Sequence, residues 1–268
     1  MRRAALTLTA AALVLAGCGS SGATGTGGTS SSTASTSGGS SSPAVSGTVN
    51  VFAAASLKEA FTALGTTFEA ANPGTKVVFN FGPSSGLATQ ITQGAPADVF
   101  ASASAKSMDQ VVKVGAATSP ADFAKNSMEI AVPLKNPAGI ASVSDLAEPG
   151  VKVALCQAAV PCGSTAAKVL TNAKITVEPV TEEVDVKAVL SKVSLGEVDA
   201  GVVYVTDVLA AGDKVKGIEI PTDLNAATTY PIAALTKSVN SAAAQAFAAY
   251  VLSAEGATEL TAAGFAQP

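Results

Sequence analysis

Small polar residues stand where an apolar strand pattern gives way to a helical pattern, and these are the residues best suited to chemistry. Ser56 follows the apolar run from Val49 to Ala55 and lies three residues before Glu59, which is the S-x-x-E pattern of a capping box. The pattern predicts that Ser56 is a helix N-cap, with its hydroxyl and free amides at the carboxyl edge of a sheet. Such a helix N-terminus attracts anions. A cap that only ends a strand is the alternative interpretation of the isolated motif.

Three further strand-to-helix joins have the same character. They are Ser84-Ser85, Cys162-Gly163-Ser164 and Asp185-Val186. Each offers free backbone amides, and glycine lets the backbone come close to a ligand. If all four helix N-termini met at one point, partial charges of about +0.5 each would total about +2, which suits a dianion. Every α/β protein has such joins, so the motifs alone leave a shared anion site as one of two interpretations.

Missing residue types exclude several kinds of site. The chain of 268 residues contains no His, and its only arginines are Arg2 and Arg3. A Ser-His-Asp triad and a His metal site are therefore impossible, and the pattern shows no nucleophile–base pair, so we expect no catalytic residue. The sequence pI near 4.9 argues against a basic nucleic-acid surface. Any bound anion must be held without guanidinium groups.

The amino end has the form of an export leader. Met1 to Gly17 places Arg2 and Arg3 before an apolar run, and residues 15 to 18 read Leu-Ala-Gly-Cys. This end is similar to a bacterial lipobox and predicts a signal peptide over 1–17 and lipidation of Cys18; a plain signal peptide is the alternative. Residues 18–46 are nearly all Ser, Gly and Thr and predict a flexible tether. Loss of both arginines with the leader would take the formal charge from −4 to −6.

Two cysteines remain after Cys18. Cys156 and Cys162 are close in sequence in a chain predicted to be exported, which favours a disulfide between them. A metal site is the weaker alternative, because two thiols without His make a poor ligand set. We expect the bridge to shape the loop between the two cysteines.

The alternation of strand and helix patterns after Thr48 predicts an α/β fold with mainly parallel sheets. In the second half of the chain, the pattern predicts strands from Thr176 to Pro179 and from Ala200 to Thr206. No internal repeat is visible. The 48% of hydrophobic residues is enough for a sizeable core.

Several motifs resemble those of the molybdate-binding proteins of bacterial ABC importers. They are FAAASL at 52–57, SSGLATQI at 84–91, GAPADVF at 94–100 and GVVY at 201–204 followed by Asp207. The resemblance covers Thr48 to Pro268. It implies a type II periplasmic-binding-protein fold, in which two α/β lobes with a hinge enclose a ligand cleft. Lobe 1 would be 47–126 plus 230–268 and lobe 2 would be 127–229, with crossings near Lys125–Met128 and Thr229–Ile232.

The resemblance also implies a ligand site of neutral donors. By matching motifs, the oxyanion-binding residues would be Ser56, Ser84, Cys162, Val186 and Tyr204. The serines would contribute hydroxyls and amides, Cys162 and Val186 amides, and Tyr204 its phenol. A slip of one residue would replace Ser84 by Ser85. Cys162 would be both an amide donor and a disulfide partner, and Asp207 is interpreted as a surface or capping residue.

The function implied is capture of molybdate, and of tungstate, by an extracytoplasmic lipoprotein. Both ions are fully ionised at neutral pH, so a selective site needs only donors, and hydroxyls, a phenol and amides make charge-assisted hydrogen bonds to them. The protein would be a monomer without cofactor or bound nucleic acid, lipid-anchored at the outer face of the cell membrane, and would deliver its ligand to a membrane permease. The alternatives are another tetrahedral oxyanion such as sulfate, a secreted enzyme of the same fold, or a surface adhesin.

Overall fold

The computed structural model describes residues 45–268, which form one compact unit. The predicted signal peptide over 1–17, the predicted lipidation site Cys18 and nearly all of the tether predicted for 18–46 lie outside the described residues. No helix among residues 45–268 is long and apolar enough to cross a membrane.

Nine strands and eight α-helices follow one another within residues 45–268. The strands are β1 Gly47–Ala54, β2 Thr75–Gly82, β3 Val99–Ala101, β4 Ala121–Pro133, β5 Val153–Cys156, β6 Thr181–Glu183, β7 Ala200–Tyr204, β8 Val215–Glu219 and β9 Ala227–Ala234. The helices are α1 Lys58–Ala71, α2 Ser84–Thr92, α3 Ala105–Lys113, α4 Pro161–Asn172, α5 Val186–Ser194, α6 Val205–Ala211, α7 Ser241–Val251 and α8 Ala254–Ala262. Short 3₁₀ helices cover Ala55–Leu57, Val143–Ala147 and Gly212–Lys214.

The strands form a mixed sheet in the order β2-β1-β3-β9-β4-β7-β5-β6, with β8 also paired to β4. Strand β1 is parallel to β2 and β3, and β5 is parallel to β6 and β7. Strand β9 is antiparallel to β3 and β4, and β4 is antiparallel to β7 and β8. The α/β class is therefore confirmed, but the expectation of mainly parallel sheets is wrong, because the two long strands β4 and β9 run against their neighbours.

Strands β4 and β9 connect two separate cores. The first part of β4 pairs with β9, whereas the part from Met128 onward pairs with β7 and β8. Two clusters of buried residues are each formed by residues from both 49–124 and 230–265. A third cluster is formed by residues within 128–220. We use lobe 1 for the elements around the first two clusters and lobe 2 for those around the third. The residue-by-residue lobe boundaries expected from the resemblance stay a prediction.

A local difference from the sequence pattern lies around Tyr204. The predicted strand from Ala200 to Thr206 ends at Tyr204, and α6 begins at Val205. The Asp207 carboxylate accepts a hydrogen bond from the Tyr204 amide at 3.2 Å, which satisfies a free donor at the helix start. The strand predicted from Thr176 to Pro179 is also wrong, since the strand paired to β5 is Thr181–Glu183.

Candidate functional site

A small cavity between lobe 1 and lobe 2 contains all five residues that the resemblance implies as ligands. Its lining comes from the ends of β1 and β2, the starts of α2, α4 and α5, and the last residue of β7. The lining residues are Ala54, Ala55, Ser56, Gly82, Pro83, Ser84, Ala103, Val160, Pro161, Cys162, Asp185, Val186 and Tyr204. Its volume is about 20 Å³, far below the roughly 300 Å³ or more of pockets for drug-sized molecules. The cavity suits a ligand of a few atoms.

The electrostatics of this cavity come from backbone dipoles. Helices α2, α4 and α5 begin at its wall, so the strand-to-helix joins of the sequence do meet. The amides of Cys162 and Val186 lie in first turns and have no backbone acceptor among residues 45–268. No lysine lines the cavity, and the carboxylate of Asp185 accepts a hydrogen bond from the Ala188 amide at 3.0 Å. The wall therefore presents partial positive charge without a cation.

Ser84 is placed to donate a proton into the cavity. Its hydroxyl is buried and accepts a hydrogen bond from the Ala103 amide at 3.0 Å. Because that bond uses an oxygen lone pair, the hydroxyl hydrogen stays available as a donor. Ser85 lines a neighbouring groove on the surface instead of the cavity. The structure thus favours Ser84 over Ser85 as the cavity serine.

Ser56 lies at the cavity, but it is not the capping residue that its sequence pattern predicts. The residue is inside the 3₁₀ turn Ala55–Leu57, and neither this turn nor α1 has a side-chain cap. The Ser56 hydroxyl lies 2.9 Å from the hydroxyl of Tyr230, 174 residues away in sequence. This tertiary hydrogen bond replaces the local capping bond. It also identifies Tyr230, on β9, as a residue that orients the Ser56 hydroxyl and that no local sequence pattern indicated.

The phenol of Tyr204 is a buried donor without a partner. Its hydroxyl oxygen makes no hydrogen bond within residues 45–268. The nearby hydroxyls of Thr165 and Tyr230 act to lower the pKa of Tyr204, but neither has hydrogen-bond geometry to its oxygen, and each is bonded to another group, the Pro161 carbonyl and the Ser56 hydroxyl, at 2.9 Å. Burial raises the pKa of Tyr204 well above its usual value, so the phenol is neutral and keeps its proton. Buried polar groups are rarely left unpaired, because the cost is about 1–3 kcal/mol.

A disulfide shapes the third part of the wall. Cys156, at the end of β5, is joined to Cys162, the second residue of α4, as the sequence predicts. Gly163 then packs against the carbonyl oxygens of Cys156 and Gln157 so closely that a Cβ atom would overlap both. The disulfide and the glycine together fix where the Cys162 amide lies.

Comparison with known proteins places these features in a family. Residues 49–266 match the family model for bacterial extracellular solute-binding proteins. The chain is 45% identical over 239 residues to the molybdate-binding protein ModA of Mycobacterium tuberculosis, covering 86% of this chain and 92% of that protein. The chain belongs to the bacterial extracellular solute-binding proteins. The resemblance to molybdate-binding proteins is thereby confirmed.

Solved structures confirm the fold of this solute-binding protein. The periplasmic molybdate-binding protein of Azotobacter vinelandii matches with a TM-score of 0.73 at 22% identity, covering 82% of this chain and 99% of that chain. The sulfate-binding protein SubI of Mycobacterium tuberculosis matches with a TM-score of 0.71 at 17% identity, covering 81% and 86% of the two chains. The periplasmic-binding-protein fold is therefore confirmed, and at these identities the likeness concerns the fold alone.

A cluster of charged residues borders the cavity of the solute-binding protein. The Lys187 ammonium on α5 lies 2.8 Å from the Asp207 carboxylate on α6 and 2.6 Å from the Glu59 carboxylate on α1. Burial alone would lower the pKa of Lys187, but the two carboxylates outweigh it and raise that pKa. Asp207 accepts a hydrogen bond from the Tyr204 amide at the start of α6 and is fully buried, so of the two expected roles, surface or capping, the structure has the capping role.

The pH dependence of folding should report the burial of Asp207. Burial raises the pKa of Asp207 to about 6, although Lys187 and the Tyr204 amide act against it. Since the folded state holds this proton more tightly than the unfolded state, its contribution to stability is present below pH 4 and is lost as pH rises through 6. The shift corresponds to about 3 kcal/mol.

Urea unfolding of the wild type and of Asp207→Asn between pH 4 and pH 8 tests this expectation. The free energy of unfolding of the wild type, relative to the variant, should fall by about 2 kcal/mol between pH 4 and pH 7, because the unfolded state has already begun to lose this proton at pH 4. A relative rise over the same range would show that Lys187 dominates and that the pKa of Asp207 is lowered.

Proposed function

We propose that this solute-binding protein captures molybdate, and tungstate with it, for an ABC importer. One observation carries the proposal: the neutral Tyr204 phenol is fully buried, has no hydrogen-bond partner in residues 45–268, and lies at a cavity shared with the hydroxyls of Ser56 and Ser84. The amides of Cys162 and Val186 complete a set of donors. A tetrahedral dianion would accept hydrogen bonds from all of them.

The donor set selects for a fully ionised ligand. Hydrogen phosphate carries a proton that needs an acceptor, and the lining offers one carboxylate, that of Asp185, whose Oδ1 already accepts a hydrogen bond from the Ala188 amide as the cap of α5. Molybdate and tungstate accept at every oxygen and make charge-assisted hydrogen bonds. No buried lysine has to be desolvated for this. Sulfate is the alternative ligand because it is also a dianion. Molybdate is favoured over sulfate because the relative with 45% identity is a molybdate-binding protein.

Binding would occur by closure of two lobes around the anion. We assign 47–126 plus 230–268 to lobe 1 and 127–229 to lobe 2, with the hinge in β4 and β9. Ser56 and Ser84 would hold the ligand from lobe 1, and Cys162, Val186 and Tyr204 from lobe 2. A ligand that contacts both lobes shifts the population toward the closed state, because it binds that state more tightly.

The remaining features of the proposal concern location and delivery. Cys18 would anchor the exported chain by a lipid at the outer face of the cell membrane, and residues 18–46 would let the protein reach its membrane permease. We propose a monomer that needs no cofactor, binds no nucleic acid and catalyses no reaction. The family of bacterial extracellular solute-binding proteins to which the chain belongs supports an extracytoplasmic location and a role in solute uptake.

Thermal unfolding of residues 45–268 with four anions tests the ligand. A ligand at about 100 times its dissociation constant adds about 2.7 kcal/mol of stability, so molybdate and tungstate should each raise the melting temperature by several degrees. Sulfate and phosphate should leave it unchanged. A shift with sulfate alone would mean that the ligand is sulfate and not molybdate. No shift with any of the four anions would refute anion capture.

Two adjacent serines provide a matched control for this measurement. Ser84→Ala removes a hydroxyl at the cavity, and Ser85→Ala removes the same group one residue away at the outer groove. The shift caused by molybdate should shrink in Ser84→Ala and persist in Ser85→Ala. Equal shifts in both variants would show that the Ser84 hydroxyl does not bind the ligand.

A further inference from the structure

Three charged side chains connect the two lobes directly beside the cavity, and we call them the Glu59–Lys187–Asp207 bridge. Lys187 reaches Asp207 within lobe 2 at 2.8 Å and Glu59 of lobe 1 at 2.6 Å. The other ion pairs among residues 45–268 stay within one lobe. The contact between Lys187 and Glu59 is therefore the one ion pair in the described part of the chain that depends on how the lobes meet.

The three residues of the bridge do not line the cavity, but each is close in sequence or bonded to a residue that does. Lys187 follows Val186 in α5, and Glu59 lies three residues after Ser56. Asp207 holds the Tyr204 amide through its other carboxylate oxygen. Each charged group thus adjoins a residue that faces the cavity. A change in the bridge would act on binding through the position of these residues.

We propose that Lys187 is a positioning residue that holds the closed state and sets the rate of ligand release. This inference rests on the proposed function, in which the lobes close over an anion. When the lobes separate, Lys187 keeps Asp207 and loses Glu59, so only the pair that joins the lobes is broken. The Lys187 side chain is 21% exposed and that of Glu59 is 50% exposed, which places this pair in the range of partly screened ion pairs.

The expected effect is therefore moderate and appears in dissociation. The Lys187–Glu59 pair exists only when the lobes meet, so its loss destabilises the closed state and makes reopening, and with it release, faster. Glu59→Gln should raise the dissociation rate of molybdate by about 1.5- to 5-fold, as a contribution of this kind implies. The effect should shrink at high salt, because the pair is partly exposed.

Stopped-flow tyrosine fluorescence can measure this rate, since Tyr204 and Tyr230 lie at the site and the chain has no tryptophan. Glu259→Gln is the matched control. Glu259 and Glu59 line the same groove between α1, α6 and α8, but Glu259 forms no ion pair among the described residues. If Glu59 acts only as a negative charge near an anion, both variants should slow release equally. The bridge predicts faster release for Glu59→Gln alone.

A double-mutant comparison and small-angle X-ray scattering complete the test. In a Lys187→Gln background, Glu59→Gln should cause no further change in the dissociation rate. Without ligand, Glu59→Gln should show a larger radius of gyration than the wild type, and Glu259→Gln should not. If the wild type binds molybdate while Glu59→Gln matches it in release and in scattering, the proposal is wrong. If the wild type binds none of the four anions, anion capture fails and the scattering result still decides the role of the bridge.

Discussion

Gly163→Ala should weaken molybdate binding by about 10-fold or more, which corresponds to the loss of one charge-assisted hydrogen bond. The added Cβ would overlap the carbonyl oxygens of Cys156 and Gln157. Those atoms belong to backbone that is held by the disulfide and by the hydrogen bond from the Gln157 amide to the Glu183 carbonyl at 2.9 Å. The start of α4 must then move and carry the Cys162 amide away from the cavity.

Two opposing effects decide the sign of the stability change in Gly163→Ala. Alanine is favoured over glycine in a helix by about 1 kcal/mol, whereas overpacking against backbone costs about 1–3 kcal/mol or more. The clash should win, and the ligand-free protein should melt at a lower temperature.

Gly86→Ala is the matched control, because Gly86 is the third residue of α2 as Gly163 is of α4. There the new Cβ would meet only a Pro83 ring carbon at 3.3 Å. Isothermal titration calorimetry with molybdate on both variants gives the comparison. Wild-type affinity in Gly163→Ala would show that the position of the Cys162 amide does not matter.

The sequence predicted correctly those features that depend on residues close to one another in the chain. Strand-to-helix joins were predicted from hydroxyls, glycine and apolar runs, and α2, α4 and α5 do begin at the cavity wall. The pairing of Cys156 with Cys162 also followed from short spacing and the export leader. These features depend on neighbours within a few residues, which is the range that a sequence pattern reports.

The sequence failed where a distant residue outweighs a local preference. Ser56 and Glu59 have the spacing of a capping box, yet Ser56 pairs with Tyr230 and Glu59 pairs with Lys187. A buried hydrogen bond and an ion pair across 174 and 128 residues replaced two local bonds. The expectation of mainly parallel sheets failed for the same reason, because the antiparallel pairing of β4 with β9 joins residues about a hundred positions apart.

Removal of the Tyr230 hydroxyl and removal of the Tyr204 hydroxyl should change the stability of the ligand-free protein in opposite directions. The Tyr230 hydroxyl is bonded to Ser56, whereas the Tyr204 hydroxyl has no partner in residues 45–268. Tyr230→Phe breaks an existing buried bond, so it should lower the melting temperature of the ligand-free protein and also weaken binding through Ser56. It provides the control for the corresponding change at Tyr204, since both residues are buried tyrosines close to the same cavity.

Tyr204→Phe should raise the stability of the ligand-free protein slightly and weaken molybdate binding by about 1.5–3 kcal/mol, or roughly 10- to 150-fold. The two signs differ because the phenol is buried without a partner in residues 45–268, so its removal relieves a cost that only an anion can offset. Thermal unfolding without ligand and calorimetric titration with molybdate measure the two effects on one variant. Unchanged affinity would remove Tyr204 from the site. Lower stability without ligand would show that its hydroxyl already has a partner, and that burial of an unpaired donor is not what prepares this cavity for an oxyanion.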